Sequence, residues 1–148
     1  AGQDLDRRPD EKGIRQSAAL IEKLIEHEVQ RSIPAHRIVL AGFSQGGVVA
    51  LHTGLRHANR LAGIMSLSAY LPLSDTLEKE RHASNHGVPV FIAHGSTDNV
   101  VPMKLGTAAR ERLSALGYAV EWHQYPMPHS VCPEEITDIG IWLRRVLV

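Results

Sequence analysis

Gly42-Phe43-Ser44-Gln45-Gly46-Gly47 constrains this chain more than any other stretch. A serine bracketed by glycines stands where the apolar run Ile38-Val39-Leu40-Ala41 hands over to a helical pattern beginning near Val48. A strand that enters a helix through so tight a turn puts its central residue in a strained backbone conformation, with no room for side chains two positions either side. That geometry is a nucleophile elbow. It lifts the Ser44 hydroxyl above the sheet edge, within reach of a histidine, and aims the Gln45 backbone N–H at the place where a carbonyl oxygen becomes negative. Ser44 is the candidate nucleophile and Gln45 the candidate oxyanion donor. With 12 Gly and 10 Ser in 148 residues, the Gly-x-Ser-x-Gly string arises by chance roughly 0.06 times in such a chain, so its context has to carry the rest.

The context is an alternation of strands and helices. Ile14, Ala18, Ile21 and Ile25 recur at helical spacing after Pro9-Asp10-Glu11, which suits a first turn, and the helix is expected to run to about Gln30. Ser32-Ile33-Pro34 breaks it, and Arg37 to Ala41 reads as the strand that enters the elbow. After Ser44 a helix is predicted to about His57, with Gly46 and Gly47 letting its first turn approach the strand. Ala62 to Tyr70 reads as a second strand, followed by the loop Leu71-Pro72-Leu73-Ser74 and a short helix from Asp75 to Ala83. Val88 to His94 is an almost unbroken apolar run, as expected for a strand covered on both faces. Pro102 opens a helix that Gly117 stops; Ala119 to Tyr125 is a fourth strand, and Pro133-Glu134-Glu135 starts a last helix. Such alternation implies an α/β fold with a mostly parallel sheet and right-handed crossovers.

Length and charge bound the alternatives. A chain of 148 residues suits one domain with one core. Its 16 basic and 16 acidic side chains cancel without forming long blocks, which argues against a nucleic-acid partner. Cys132 is the only cysteine, so no internal disulfide forms and a reducing, cytoplasmic setting is expected. No apolar run approaches the roughly 18 residues that span a bilayer. The polar opening Ala1-Gly2-Gln3-Asp4 has no signal-peptide core and reads like the interior of a longer protein.

Carboxyl ends of parallel strands share one edge, and Ser44, Asp98 and His129 each fall just beyond such an end. A serine hydroxyl attacks at neutral pH only when a base takes its proton; His129 fits that base, and then the acid that protonates the leaving group. Asp98 would hold the imidazole tautomer and stabilise its charged form. Asp75 remains a substitute acid, whereas Glu134, Glu135 and Asp138 belong to the last helix, where first-turn acids answer the helix dipole. His27, His52 and His57 fall in helices, His36, His82 and His86 lie away from strand ends, and His123 is inside the fourth strand. His94, beside the acid loop, reads as structural rather than catalytic. His27-Glu28 is followed by Arg31 where a zinc-binding helix needs its second histidine, so no metal is expected, and no phosphate-binding glycine loop occurs. Cys132, just before Pro133, reads as a packed residue at a helix start rather than a thiol nucleophile.

Three motifs, Gly42 to Gly47, His94-Gly95-Ser96-Thr97-Asp98-Asn99-Val100-Val101-Pro102, and Met127-Pro128-His129-Ser130-Val131-Cys132-Pro133-Glu134-Glu135-Ile136, resemble the phospholipase/carboxylesterase family. That family includes bacterial carboxylesterases and acyl-protein thioesterases. The resemblance implies an α/β-hydrolase fold and a cofactor-free serine hydrolase for small-molecule or lipid esters or thioesters, with Ser44, Asp98 and His129 as its triad. It also implies a cytosolic enzyme, often a homodimer. By position Leu71, Pro72, Val100, Val101 and Met127 either line an acyl pocket or simply pack the loops. Family members carry, ahead of this region, further strands and a His-Gly-x-Gly loop that supplies a second oxyanion N–H, so the chain reads as the C-terminal part of such a fold, either an active esterase, thioesterase or lysophospholipase or an inactive fragment that keeps the triad. On that reading the strand entering the elbow exposes an apolar edge.

Overall fold

The structure is a computed structural model and describes residues 11–148. Pro9 and Asp10, expected in the first helical turn, lie outside the described residues. Helix α1 (Glu11–Gln30) buries Ile14, Ala18 and Ile25 on the face that the spacing predicted. It ends at Gln30, and Ser32 in the turn beyond it adopts φ 80°. Strands β1 (Val39–Phe43), β2 (Gly63–Leu67), β3 (Val90–Gly95) and β4 (Val120–Tyr125) then alternate with helices α2 (Gln45–Arg56), α3 (Ser74–Glu80) and α4 (Met103–Ala115), and α5 (Pro133–Leu147) closes the chain.

All three strand pairings are parallel, in the order β1-β2-β3-β4. Each strand follows its predecessor along the sheet, so every carboxyl end falls on the same edge. Strand alternation divides the core into two layers. Ile64, Val90 and Ile92 pack with Ala50, Leu51 and Leu55 of α2, Leu77 of α3, and Ala109 and Leu113 of α4. Met65, Leu67, Phe91 and Ala93 face the other way, onto Trp142 of α5. Residues on both faces of β2 and β3 are buried, which explains why those strands read as continuous apolar runs. A smaller cluster, Ile14, Val48, Ala69, Tyr70 and Val101, ties α1 to the carboxyl edge.

Several element bounds differ from the sequence expectation, and the third strand runs Val90–Gly95 instead of Val88 to His94. The second strand stops at Leu67 instead of Tyr70 because Ser68 adopts φ 54°, although its N–H still bonds the Ala93 carbonyl at 2.9 Å. The helix expected to reach Ala83 ends at Glu80, where Arg81 turns extended, and a separate 3-10 turn follows at Ala83–Asn85. That turn is fixed by the buried Asn85 amide, which accepts from Leu61 N–H and donates to the His57 and Asn59 carbonyls. The first strand is displaced to Val39–Phe43 by a 3-10 turn at Ala35–Arg37. Among the described residues no helix is long and apolar enough to cross a membrane.

Among the described residues no strand pairs with the outer edge of β1. Leu40 and Ala41 line a groove of about 550 Å³ with Ile21, Leu24 and Ile25 of α1.

Candidate active site

Ser44 sits between β1 and α2 at φ 58°, ψ −121°, the strained turn that the glycine pattern predicts. Its N–H donates to the Leu67 carbonyl at 2.8 Å, so the elbow is stitched to the neighbouring strand end. A Cβ on Gly42 would lie 2.1 Å from the Gly46 carbonyl carbon, and one on Gly47 would lie 2.9 Å from both Ala69 Cβ and Ser66 Oγ. Close approach therefore requires glycine at 42 and 47. Gly46 faces no such neighbour, so the second glycine of the motif is not the one that seats the helix on β2.

The loop after β3 delivers Asp98 and the loop after β4 delivers His129. His129 Nε2 lies 3.1 Å from Ser44 Oγ, and its Nδ1 lies 2.7 Å from Asp98 Oδ2. The other carboxylate oxygen of Asp98 accepts the Val100 and Val101 N–H groups, both at 2.9 Å. Burial pushes the Asp98 carboxyl upward, but the His129 hydrogen bond, the two N–H groups and the His129 charge outweigh it, so its pKa falls below the ordinary value. The group thus stays ionised beside a histidine that gains charge. Gln45 is the first residue of α2, where backbone N–H groups have no intrahelical acceptor and the dipole favours negative charge.

His94 is fully buried behind Asp98. Its Nε2 donates to the Val101 carbonyl at 2.6 Å and lies 3.5 Å from Asp98 Oδ2, so it braces the acid loop and does not reach Ser44 through either contact. The remaining histidines have other neighbours: His57 pairs with Glu22, His123 with Glu121, and His82 accepts the Ser84 N–H. His52 is buried in α2, where burial pushes its pKa down to about 4. Asp75 is exposed on α3, and the carboxylate on His129 is that of Asp98. Cys132 is the half-buried N-cap of α5, packed beside the Trp142 cluster.

The five residues assigned by position to an acyl pocket spread over different environments. Val101 and Met127 are buried in core clusters, Pro72 is buried, Val100 is 49% exposed, and Leu71 borders a groove with Tyr70 and Leu105. One residue that sequence reasoning missed is Gly95, the last of β3. A Cβ there would lie 2.3 Å from the Met127 carbonyl oxygen and 2.4 Å from that of Pro128. Its bareness lets the acid and histidine loops touch, held by Ser96 N–H on Tyr125 O and Thr97 N–H on Met127 O. The His94-Gly95 pair at a strand end was the available signal.

A parallel sheet with a serine elbow, an acid and a histidine on successive loops of one edge defines an α/β-hydrolase. More narrowly, the chain belongs to the phospholipase/carboxylesterase family, whose model matches residues 2–147. It is similar to acyl-protein thioesterase 1 of Neurospora crassa, 44% identical over 97% of this chain and 60% of that protein. It is also similar to the protein of that name from Yarrowia lipolytica, 40% identical over 92% of this chain and 61% of the relative. Arabidopsis thaliana SOBER1 superposes with a TM-score of 0.89 at 25% identity, covering 94% of this chain and 67% of its own. Esterase PE8 gives 0.85 at 27% identity, over 92% and 63%. The chain spans about 60% of the length of those two thioesterases.

Proposed function

We propose that this chain carries the nucleophile, base and acid of a serine hydrolase that cleaves carboxylic esters or acyl-thioesters through an acyl-Ser44 intermediate. One observation carries the reading: the continuous relay from Ser44 Oγ through His129 to Asp98, at 3.1 and 2.7 Å. As Oγ bonds to the substrate's acyl carbon, its proton passes to His129 Nε2 and the carbonyl electron pair moves onto oxygen, facing the Gln45 N–H. Collapse of that intermediate expels the alkoxide or thiolate, which takes the proton from His129. Water then repeats the sequence on the acyl-enzyme and frees Ser44. Asp98 keeps Nδ1 protonated and balances the imidazolium without accepting the proton.

The relatives named acyl-protein thioesterase favour a thioester substrate. The family description equally accommodates a carboxylesterase or lysophospholipase. Acyl transfer uses the same machinery in each case. A panel of short esters, acyl-thioesters and lysolipids ranks them by kcat/KM.

Exposure of residues 1–148 to a fluorophosphonate should attach one phosphonyl group, found by peptide mass spectrometry on Ser44. Ser44→Ala should abolish labelling and lower ester turnover by about 10⁴- to 10⁶-fold. Labelling on another residue, or none, would rule the mechanism out for this chain.

A further inference from the structure

Phe43 ends β1 with 39% of its surface exposed, an unusual position for a large aromatic side chain beside a strained turn. Its ring lies against the His129 imidazole, with centroids 4.8 Å apart and planes inclined by 43°. The imidazole is therefore contacted at three places: Ser44 at Nε2, Asp98 at Nδ1, and Phe43 on the ring. A hydrogen bond at Nδ1 fixes one corner of the ring but lets it swing about that axis. A ring contact resists the swing. An aromatic face also carries partial negative charge and attracts a cation lying within about 6 Å of its centroid.

We propose that Phe43 is a positioning residue for His129, holding the imidazole over Ser44 and favouring its charged form once the serine proton has arrived. The inference rests on the hydrolytic reading above. Phe43 exchanges no proton or electron pair; the proton still travels from Oγ to Nε2 and on to the leaving group. The groups in contact with the imidazole, besides Phe43, are the Ser44 hydroxyl on the elbow and the Asp98 carboxylate on the loop after β3, with His94 behind it; Cys132, Glu134 and Glu135 are the titratable residues where the His129 loop enters α5. All of them stay constant when residue 43 is changed. An exposed phenyl that only covered the loop would affect stability and leave the titration of His129 alone.

The experiment compares residues 1–148 carrying Phe43, Phe43→Leu and Phe43→Tyr, with Phe43→Met replacing the leucine variant if that one does not fold. An NMR titration follows the His129 imidazole, and the rate of fluorophosphonate attachment to Ser44 follows the reaction. Loss of the ring should move the imidazole midpoint down by about 0.5 pH unit, a two- to fivefold loss of preference for the charged form. Attachment at the pH plateau should slow by about threefold to tenfold, because a base that wanders spends less time in reacting geometry. Tyrosine, which keeps the face, should restore both. An unchanged midpoint in the leucine variant, or a tyrosine variant that behaves like leucine, overturns the inference. If wild-type Ser44 takes no label, the hydrolytic reading fails instead, and the titration alone decides whether the ring favours the imidazolium.

Discussion

Asp98 and Glu135 are both buried acids, and their surroundings drive them in opposite directions. Around Asp98, hydrogen bonds from His129, Val101 and Val100 overcome the cost of burial, and the carboxyl is held below its ordinary pKa. Glu135 is fully buried and neither of its oxygens accepts a well-formed hydrogen bond, so burial pushes its pKa upward, only partly offset by the Cys132 N–H nearby and by His123. Asp138 adds to the upward push. The consequences for stability have opposite sign. The contribution of Asp98 is complete above the ordinary carboxylate range and is lost as pH falls through its depressed folded value. Glu135 binds its proton more tightly when folded, so stability declines as pH rises from the ordinary 4.5 toward its raised value. Glu135→Gln keeps the shape and removes that penalty. Thermal melts should show it more stable than wild type at pH 7.5, by about 2–4 °C for each kcal/mol regained, with the advantage shrinking below pH 4.5. A gain that stays constant across pH would mean that the buried carboxyl is not the cause. From the sequence, Glu134 and Glu135 looked alike as first-turn acids. Periodicity places both at a helix start, but in the structure Glu135 is fully buried while Glu134 is exposed.

At the scale of elements, the site was legible wherever function and local pattern coincide. Ser44, Asp98 and His129 follow three strand ends in a parallel sheet, and parallel strands align those ends whatever the details between. Strand ends set by a single backbone conformation were not legible. Nothing in Leu67-Ser68-Ala69-Tyr70 signals that Ser68 turns to positive φ and stops the ladder, because an apolar run looks the same whether it continues paired or leaves as a buried loop. Contacts between loops were equally hidden, and Gly95 is the clearest case. Its missing side chain lets the Asp98 loop bond the His129 loop, so Gly95→Ala must separate two backbones. Overpacking of this kind costs about 1–3 kcal/mol and should lower the melting temperature by about 3–10 °C. More tellingly, displacement of one loop by an ångström should slow fluorophosphonate attachment at Ser44 by about 10²-fold. A variant that melts early yet labels at the wild-type rate would show that the loops are positioned independently.

Among the described residues β1 and β4 are the two edge strands of the sheet, and only the β1 edge borders the apolar groove beside α1. Ala41 and Phe43 are exposed on that strand, and Leu20 and Leu24 of α1 are 62% and 60% exposed. An unpaired edge next to apolar side chains offers backbone donors and acceptors together with surface that gains by leaving water. Here the two gains coincide in one strip, since Leu24, Leu40 and Ala41 line the same groove. Residues 1–148 on their own should therefore self-associate, with sedimentation velocity giving an average mass above 16.3 kDa at about 100 μM. Lysine is the side chain that most effectively blunts an edge, because pairing would bury its charge. Ala41→Lys and Leu24→Lys lie on opposite walls of the groove, and each should weaken association by about tenfold or more while leaving the melting temperature within a few degrees, as both positions are already in contact with water. If association persists unchanged in both variants, it runs through another surface, and the exposed apolar residues of α5, Ile136 and Ile141, become the place to substitute.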